Sequence, residues 1–506
     1  MNLRSLGFGL LAVLAMASGA YAATCESLKA LSLDNATITL AQPVAAGELS
    51  LPGGGQGTAQ QNAIFKQLPA FCRVAATLRP SSDSDIKIEV WMPTSGWNGK
   101  FMAVGNGGWS GAISYGQMAP VLGRNYAVAS TDTGHQGGAE PLMGHPEKQI
   151  DFGYRAVHEM TIKAKAIIAA FNASPPRFSY WNGCSSGGKQ GLKEAQRFPG
   201  DYDGIIAGAP ANYWTHLITQ ILWVAHAVRK DSASAIPESK YGLIHEAVLR
   251  QCDARDGVKD GLLDDPRQCK FDPAVLQCKS GDAATCLTKP QVTALKQIYG
   301  PARNPRTGKE IYPGLPAGSE LGWGVLPQPF TIAESHYKYI VFSDPNWDFR
   351  TLDFDQDLSK ADAIDADVGH FVANEPDLSA FKKRGGKLLQ YHGWNDQQIS
   401  AQNSVNYYES VVTRFGKAKE VEDFYRLFMA PGMMHCRGGE GPNSFDAVAA
   451  LEQWVENGKA PDQIIASHST DGKVDRTRPL CPYPQVAKYK GSGSTNDAAN
   501  FVCRMP

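Results

Sequence analysis

Ser185 stands at the centre of Gly183-Cys184-Ser185-Ser186-Gly187, a Gly-x-Ser-x-Gly pattern, between the apolar stretch Phe178-Ser179-Tyr180-Trp181 and a segment that reads as a helix from Ser186 to Arg197. A serine on so sharp a strand-to-helix turn is lifted clear of the sheet as a nucleophile, with glycines beside it because side chains there would clash. Alone, the pattern is equally a structural turn. The chemistry also needs a base to take the hydroxyl proton and an acid to orient that base, in the chain order Ser, acid, His. Asp396 in His392-Gly393-Trp394-Asn395-Asp396 and His435 in Pro431-Gly432-Met433-Met434-His435-Cys436 each follow an apolar strand, in that order. A loop aspartate is ordinarily a solvated turn and a histidine ordinarily packed or exposed, but three such residues arriving in sequence predict a catalytic trio of Ser185, His435 and Asp396. If Ser185 and His435 lie within about 3 Å of each other, their neighbours Cys184 and Cys436 are close as well. Bridged Cα atoms lie about 5 to 6 Å apart, so a Cys184–Cys436 disulfide is expected.

The elements that must position these residues read as follows. Ile86, Ile88, Val90 and Met92 alternate with Lys87, Glu89 and Trp91, a half-buried strand. Lys100 to Val104 is a second strand, ending in Gly105-Asn106-Gly107-Gly108-Trp109-Ser110-Gly111, a cluster that is either a plain turn or a place where backbone N–H groups approach a ligand. Tyr126-Ala127-Val128-Ala129 is a third strand and Val157 to Phe171 an apolar-periodic helix; the elbow follows, then Ile205-Ile206-Ala207. Strands and helices at this short spacing predict right-handed crossovers and a largely parallel sheet. After Ala211 the rhythm stops. It resumes with Asp377 to Arg384 as a helix, strands at Lys387 to Tyr391 and Phe424 to Met429, and a helix from an N-cap at Ser444 to Asn457. The expectation is an α/β-hydrolase core, residues 23–211 and 374–506, with residues 212–373 inserted as a lid. The insertion holds Trp323, Phe330, Tyr337, Tyr339, Trp347 and Phe349, for which core packing is the default reading.

Met1 to Ala22 carries Arg4, an apolar run from Leu6 to Met16 and Ala20-Tyr21-Ala22, which reads as a secretory signal peptide too short in its apolar run to anchor in a bilayer. With 49 basic and 50 acidic residues and no basic block, nucleic acid is not an expected partner, and no later stretch suggests a membrane one. All ten cysteines follow the cleavage site: Cys25, Cys72, Cys184, Cys252, Cys269, Cys278, Cys286, Cys436, Cys481 and Cys503. An even set in an oxidising compartment, secreted or periplasmic, reads as disulfides. Cys252 with Cys269 and Cys278 with Cys286 are natural local staples, and the tail bearing Cys481 and Cys503 reads as loop-rich and stapled to itself.

Gly-Cys-Ser-x-Gly-Gly, a later Asp and His-Cys together resemble the tannase and feruloyl esterase family, as do Gly105-Asn106-Gly107-Gly108, Pro431-Gly432-Met433 and Arg478-Pro479-Leu480-Cys481-Pro482-Tyr483-Pro484. The resemblance covers nearly the whole chain after the signal and extends to the family's terephthalate monoester hydrolase. It implies a serine esterase needing no organic cofactor, with an oxyanion hole made by the backbone N–H groups of Gly108 and Ser186. The substrate it implies is a small aromatic ester, free or attached to a polysaccharide or polyphenol. Hydroxycinnamoyl esters come first, galloyl and terephthalate esters are alternatives, and a non-catalytic binder on the same fold is a remote one. In Cys252-Asp253-Ala254-Arg255-Asp256-Gly257-Val258-Lys259-Asp260-Gly261-Leu262, composition alone favours a solvated acidic turn. The resemblance implies instead a structural Ca2+, held by the side chains of Asp253, Asp256 and Asp260 and the carbonyls of Val258 and Leu262, in keeping with calcium's preference for hard oxygen donors.

Overall fold

Seven strands lead the chain into a single large sheet: β1 (Ala36–Val44), β2 (Phe71–Leu78), β3 (Ile86–Pro93), β4 (Lys100–Val104), β5 (Ala127–Thr131), β6 (Phe178–Cys184) and β7 (Gly204–Gly208). A small hairpin, β8 (Ala302–Arg303) with β9 (Glu310–Tyr312), lies in the inserted segment, and β10 (Lys387–Gly393) and β11 (Tyr425–Ala430) complete the sheet. This is a computed structural model, and it describes residues 22–51, 59–229, 231–325 and 330–506. The expected signal peptide, Ala22 apart, lies outside the described residues.

The strand order is β1-β2-β3-β5-β4-β6-β7-β10-β11. The pairings from β5 through β4, β6, β7 and β10 to β11 are parallel, while β1, β2, β3 and β5 pair antiparallel. This is the α/β-hydrolase arrangement, with the elbow strand β6 near the middle. Strand side chains alternate between two layers. Phe101 and Ala103 pack with Val157, Met160 and Ile167 of helix Ala156–Asn172, whereas Met102 and Val104 pack with Met118, Leu122, Leu451 and Trp454 on the other face. Burying both faces is what makes the central strands near-continuous apolar runs.

Two strands of the large sheet were not anticipated from the sequence, β1 and β2. Arg73 interrupts the apolar run of β2; in the fold it is buried and held by Glu89 of β3 through two bonds of 2.6 and 2.9 Å. The tail is not loop-rich. Ile464–Thr470 pairs with Lys473–Leu480, and Val486–Tyr489 with Phe501–Arg504. The first hairpin turns on Asp471 and Gly472, at φ 50° and 75°, a two-residue turn the sequence did signal. Ser444 is not the N-cap of the last helix, Ala447–Asn457. Asp446 is, its carboxylate accepting the Ala449 N–H at 2.9 Å, while Ser444 pairs with Ser467.

Between β7 and β10 the chain is mainly helical, with helices Trp214–Arg229, Tyr241–Cys252 and Lys289–Tyr299. Trp323, Tyr337, Trp347 and Phe349 are buried there, as the packing reading requires, and Phe330 and Tyr339 are half-buried. The core of this segment is continuous with the catalytic half: Trp214, Ala333, Tyr337 and Phe371 pack with Trp109 of the glycine cluster and Phe152. All ten cysteines pair, as Cys25–Cys72, Cys184–Cys436, Cys252–Cys269, Cys278–Cys286 and Cys481–Cys503. No helix among the described residues is long and apolar enough to cross a membrane.

Candidate active site

Ser185 directly follows β6 with φ 63° and ψ −122°, a left-handed backbone that a non-glycine residue adopts only when its surroundings enforce it. Enforcement comes from both sides. The Ser185 N–H donates to the Gly208 carbonyl at 2.9 Å, and its own carbonyl accepts from Lys189 and Ala211 at 3.0 and 3.1 Å. The helix Ser186–Arg197 then packs so tightly that a Cβ at Gly183 would lie 2.5 Å from the Gly187 backbone, and one at Gly105 would lie 2.5 Å from the Gly187 Cα. The glycines of the motif therefore let the elbow press against the loop after β4.

That loop carries the predicted oxyanion donors. The Ser186 hydroxyl donates to the Gly108 carbonyl at 2.9 Å, which fixes the two residues side by side. Neither the Gly108 nor the Ser186 N–H has an acceptor among the described residues, so both are available to a ligand. Asn106 braces the loop from below, its amide donating to the carbonyls of Ala112 and Thr131, each at 2.9 Å. The inserted segment closes over it: the Trp109 indole donates to the Ile332 carbonyl at 2.9 Å, and a Cβ at Gly108 would lie 2.6 Å from Ile332 Cδ1.

Asp396 and His435 meet at the ends of β10 and β11. Trp394 N–H donates to Ala430 and Asn395 N–H to Met433, which zips the two loops together, and Gly393 permits it because a Cβ there would lie 2.2 Å from the Met433 oxygen. His435 Nδ1 and Asp396 Oδ2 are 2.7 Å apart. With Nδ1 so occupied, Nε2 is the ring nitrogen left to act as a base. Asp396 is fully buried, and burial would push its carboxyl up; the charge of His435 and the hydrogen bonds of His392 and His435 outweigh that and hold it well below the usual carboxylate range. Burial depresses the His435 imidazole, and Asp396 more than reverses this, so that it lies above its ordinary value.

Residues that sequence reasoning missed support the acid. His392 Nε2 lies 3.0 Å from Asp396 Oδ2 and 3.1 Å from the Ile399 carbonyl. Both are acceptors, so the proton sits on Nε2, and Nδ1 accepts from Ser404 Oγ at 2.7 Å. Ser404 in turn accepts from Gln390, whose carbonyl oxygen takes the Tyr425 hydroxyl at 2.5 Å. All five side chains from Tyr425 to Asp396 are buried. The one signal in the sequence was His392, at the end of β10 and four residues before the acid.

The Cys184–Cys436 bridge, with Cα atoms 6.0 Å apart, joins the residue before Ser185 to the residue after His435. Among the described residues no side-chain hydrogen bond joins Ser185 to His435. Such contacts are commonly long without substrate and tighten in the Michaelis complex.

The acidic loop of the insertion presents oxygens suited to a hard cation. Asp253 and Asp256 use only Oδ1 in hydrogen bonds, to the N–H groups of Asp260, Gly261 and Val258. Their Oδ2 atoms, and the carbonyls of Val258 and Leu262, accept nothing among the described residues. Asp260 is shared with Arg478 of the tail at 2.5 Å. The three carboxylates do not by themselves close to within 4.8 Å of one another. The donor set nonetheless has the all-oxygen chemistry that Ca2+ takes.

Residues 72–504 match the family model described as tannase and feruloyl esterase. The chain belongs to that family. An uncharacterized esterase of Xanthomonas campestris is 38% identical, over 95% of this chain and 91% of that protein, and a probable feruloyl esterase B-2 of Aspergillus oryzae is 33% identical, over 94% and 93%. The crystal structure of feruloyl esterase B from Aspergillus oryzae superposes with a TM-score of 0.87 at 33% identity, covering 95% of this chain and 99% of that one. The tannin acyl hydrolase from Aspergillus niger shares the fold, with a TM-score of 0.77 at 20% identity over 94% and 92% of the two chains. The esterase is accordingly a carboxylic ester hydrolase.

Proposed function

We propose that this esterase hydrolyses feruloyl and related hydroxycinnamoyl esters through an acyl-enzyme on Ser185. The observation that carries the mechanism is the 2.7 Å contact of buried Asp396 with His435, tethered through Cys436–Cys184 to the strained elbow serine. Ser185 Oγ attacks the ester carbonyl carbon while His435 Nε2 takes its proton. Charge developing on the carbonyl oxygen is met by the Gly108 and Ser186 N–H groups, donors already placed before the reaction. Collapse breaks the bond to the alcohol oxygen, which leaves with the proton from His435. Water, deprotonated by the same nitrogen, then attacks the acyl carbon and frees the aromatic acid and Ser185. Asp396 stays ionised throughout and stabilises the imidazolium.

The acyl preference rests on the feruloyl esterase relatives at 33 to 34% identity along nearly the whole chain. Residues 212–373 act as a lid, a role supported by the contact of Ile332 with the oxyanion loop. Met1–Ala22 directs export, in keeping with five disulfides. Asp253, Asp256, Asp260, Val258 and Leu262 hold Ca2+, whose contribution when bound is to stiffen the lid loop closed by Cys252–Cys269. Rates on methyl ferulate, methyl gallate and a terephthalate monoester, measured on one preparation, test the substrate. The ferulate ester is expected to lead, and dominance of either rival overturns the preference.

A further inference from the structure

Glu194 lies on the buried face of the elbow helix, about two and a half turns beyond Ser185, and is 1% exposed. Neither of its carboxylate oxygens accepts a hydrogen bond from a donor group; the neighbouring polar side chain is another acid, Asp201. A carboxylate removed from water costs several kcal/mol unless something compensates it, so this side chain must be neutralised by a proton or by a cation. Two other residues converge on it. His158, from helix Ala156–Asn172, places Nδ1 2.7 Å from Asp201 Oδ2, and Asp201 lies on the turn between the elbow helix and β7. One donor atom from each of His158, Glu194 and Asp201 lies within 4.8 Å of the other two, and it is the one such group among the described residues. A proton shared by the two carboxylates would need only two acceptors; three donors from separate elements, an imidazole among them, describe a coordination site.

We propose that His158, Glu194 and Asp201 bind a divalent transition-metal cation of the zinc class. An imidazole nitrogen with two carboxylates suits Zn2+ rather than Ca2+, and three protein ligands leave a coordination position for water. His158 and Asp201 are 25% and 13% exposed, which gives the ion a path in. The ring of His158 is fixed by stacking on Phe198, with centroids 3.8 Å apart and planes inclined by 9°. Lys165 Nζ donates to the Asp201 carbonyl and not to its carboxylate, whose Oδ2 meets His158 Nδ1. The ion would tie the end of the elbow helix remote from Ser185 to the helix beneath it, a structural role separate from the ester chemistry and from the lid loop.

The test uses the untagged full chain, stripped with chelator and returned to saturating Ca2+, then titrated with Zn2+ by calorimetry and with Co2+ by visible absorption. One Zn2+ per chain, a raised Tm and a Co2+ spectrum are expected. His158→Gln, at a partly exposed position, should weaken Zn2+ at least tenfold and abolish the Tm response, whereas Asp256→Asn in the lid loop should change neither. Glu194→Gln should likewise lose the ion. No saturable Zn2+ binding in the wild type, or binding that His158→Gln leaves intact, overturns the proposal.

Discussion

Replacing Asp396 by asparagine removes a charge and also breaks a fully used set of hydrogen bonds. Asp396 Oδ1 accepts the Gln398 and Ile399 N–H groups at 2.8 and 2.9 Å, and Oδ2 meets His392 and His435 at 3.0 and 2.7 Å. An amide has one acceptor oxygen, so whichever way it turns its NH2 faces two N–H donors. Turned toward the backbone, it opens the acid loop. Turned toward the rings, it drives the His435 proton from Nδ1 to Nε2, where the base can no longer accept from Ser185. Two bonds to a charged acceptor, at about 1.5 to 3 kcal/mol each, amount to about 3 to 6 kcal/mol, or roughly 10² to 10⁴ in rate. The assay is kcat/KM for methyl ferulate against pH, with thermal melting to confirm the fold. Because Asp396 raises the His435 imidazole above its ordinary 6.5 and the base must be neutral, wild-type activity should fall as pH drops through a value above 6.5. In Asp396→Asn that limb should move to lower pH while the plateau collapses. A variant within about tenfold of wild type, its acid limb unmoved, would refute this account of the acid.

Three further outcomes follow from the same geometry. Cys184→Ser with Cys436→Ser removes a bridge spanning 252 residues, worth at most about 5.5 kcal/mol by loop-closure entropy; urea denaturation should show a lower midpoint, and kcat should fall more than KM rises. His245 is buried between Glu320 at 2.8 Å and Glu440 at 2.9 Å; burial lowers its imidazole but the two carboxylates outweigh it and raise it from 6.5 to about 9. This clasp between the insertion and the His435 loop is fully present below pH 6.5 and lost as pH rises through about 9, a contribution of about 3 kcal/mol. Melting temperatures across that interval should decline in the wild type and stay flatter in His245→Gln. Ca2+ added back to chelator-stripped protein should raise the Tm of the wild type and not that of Asp256→Asn, and a wild type without bound calcium by elemental analysis would count against the lid metal.

The parts of the site that were legible in the sequence are those where chemistry and backbone coincide. Ser185, Asp396 and His435 each sit at a strand end, and the cysteines beside two of them made the Cys184–Cys436 bridge readable before any coordinates. Gly108 and Ser186 came from the family resemblance, and the fold joins them through the Ser186 hydroxyl. What was not legible depends on long-range compensation. β2 is hidden because Arg73 resembles a solvent-facing residue until Glu89 is placed against it. The support of Asp396 by His392, Ser404 and Gln390 is hidden because polar residues on a buried strand and helix carry no periodic signal. The Asp471-Gly472 turn was present in the sequence and simply unread.

The most direct test of the central claim is covalent trapping. Incubation with an aryl fluorophosphonate followed by peptide mass spectrometry should place one adduct per chain on Ser185, with stoichiometric loss of methyl ferulate hydrolysis and none of either in folded Ser185→Ala. An adduct on another residue, or undiminished hydrolysis by Ser185→Ala, would contradict the assignment of the nucleophile.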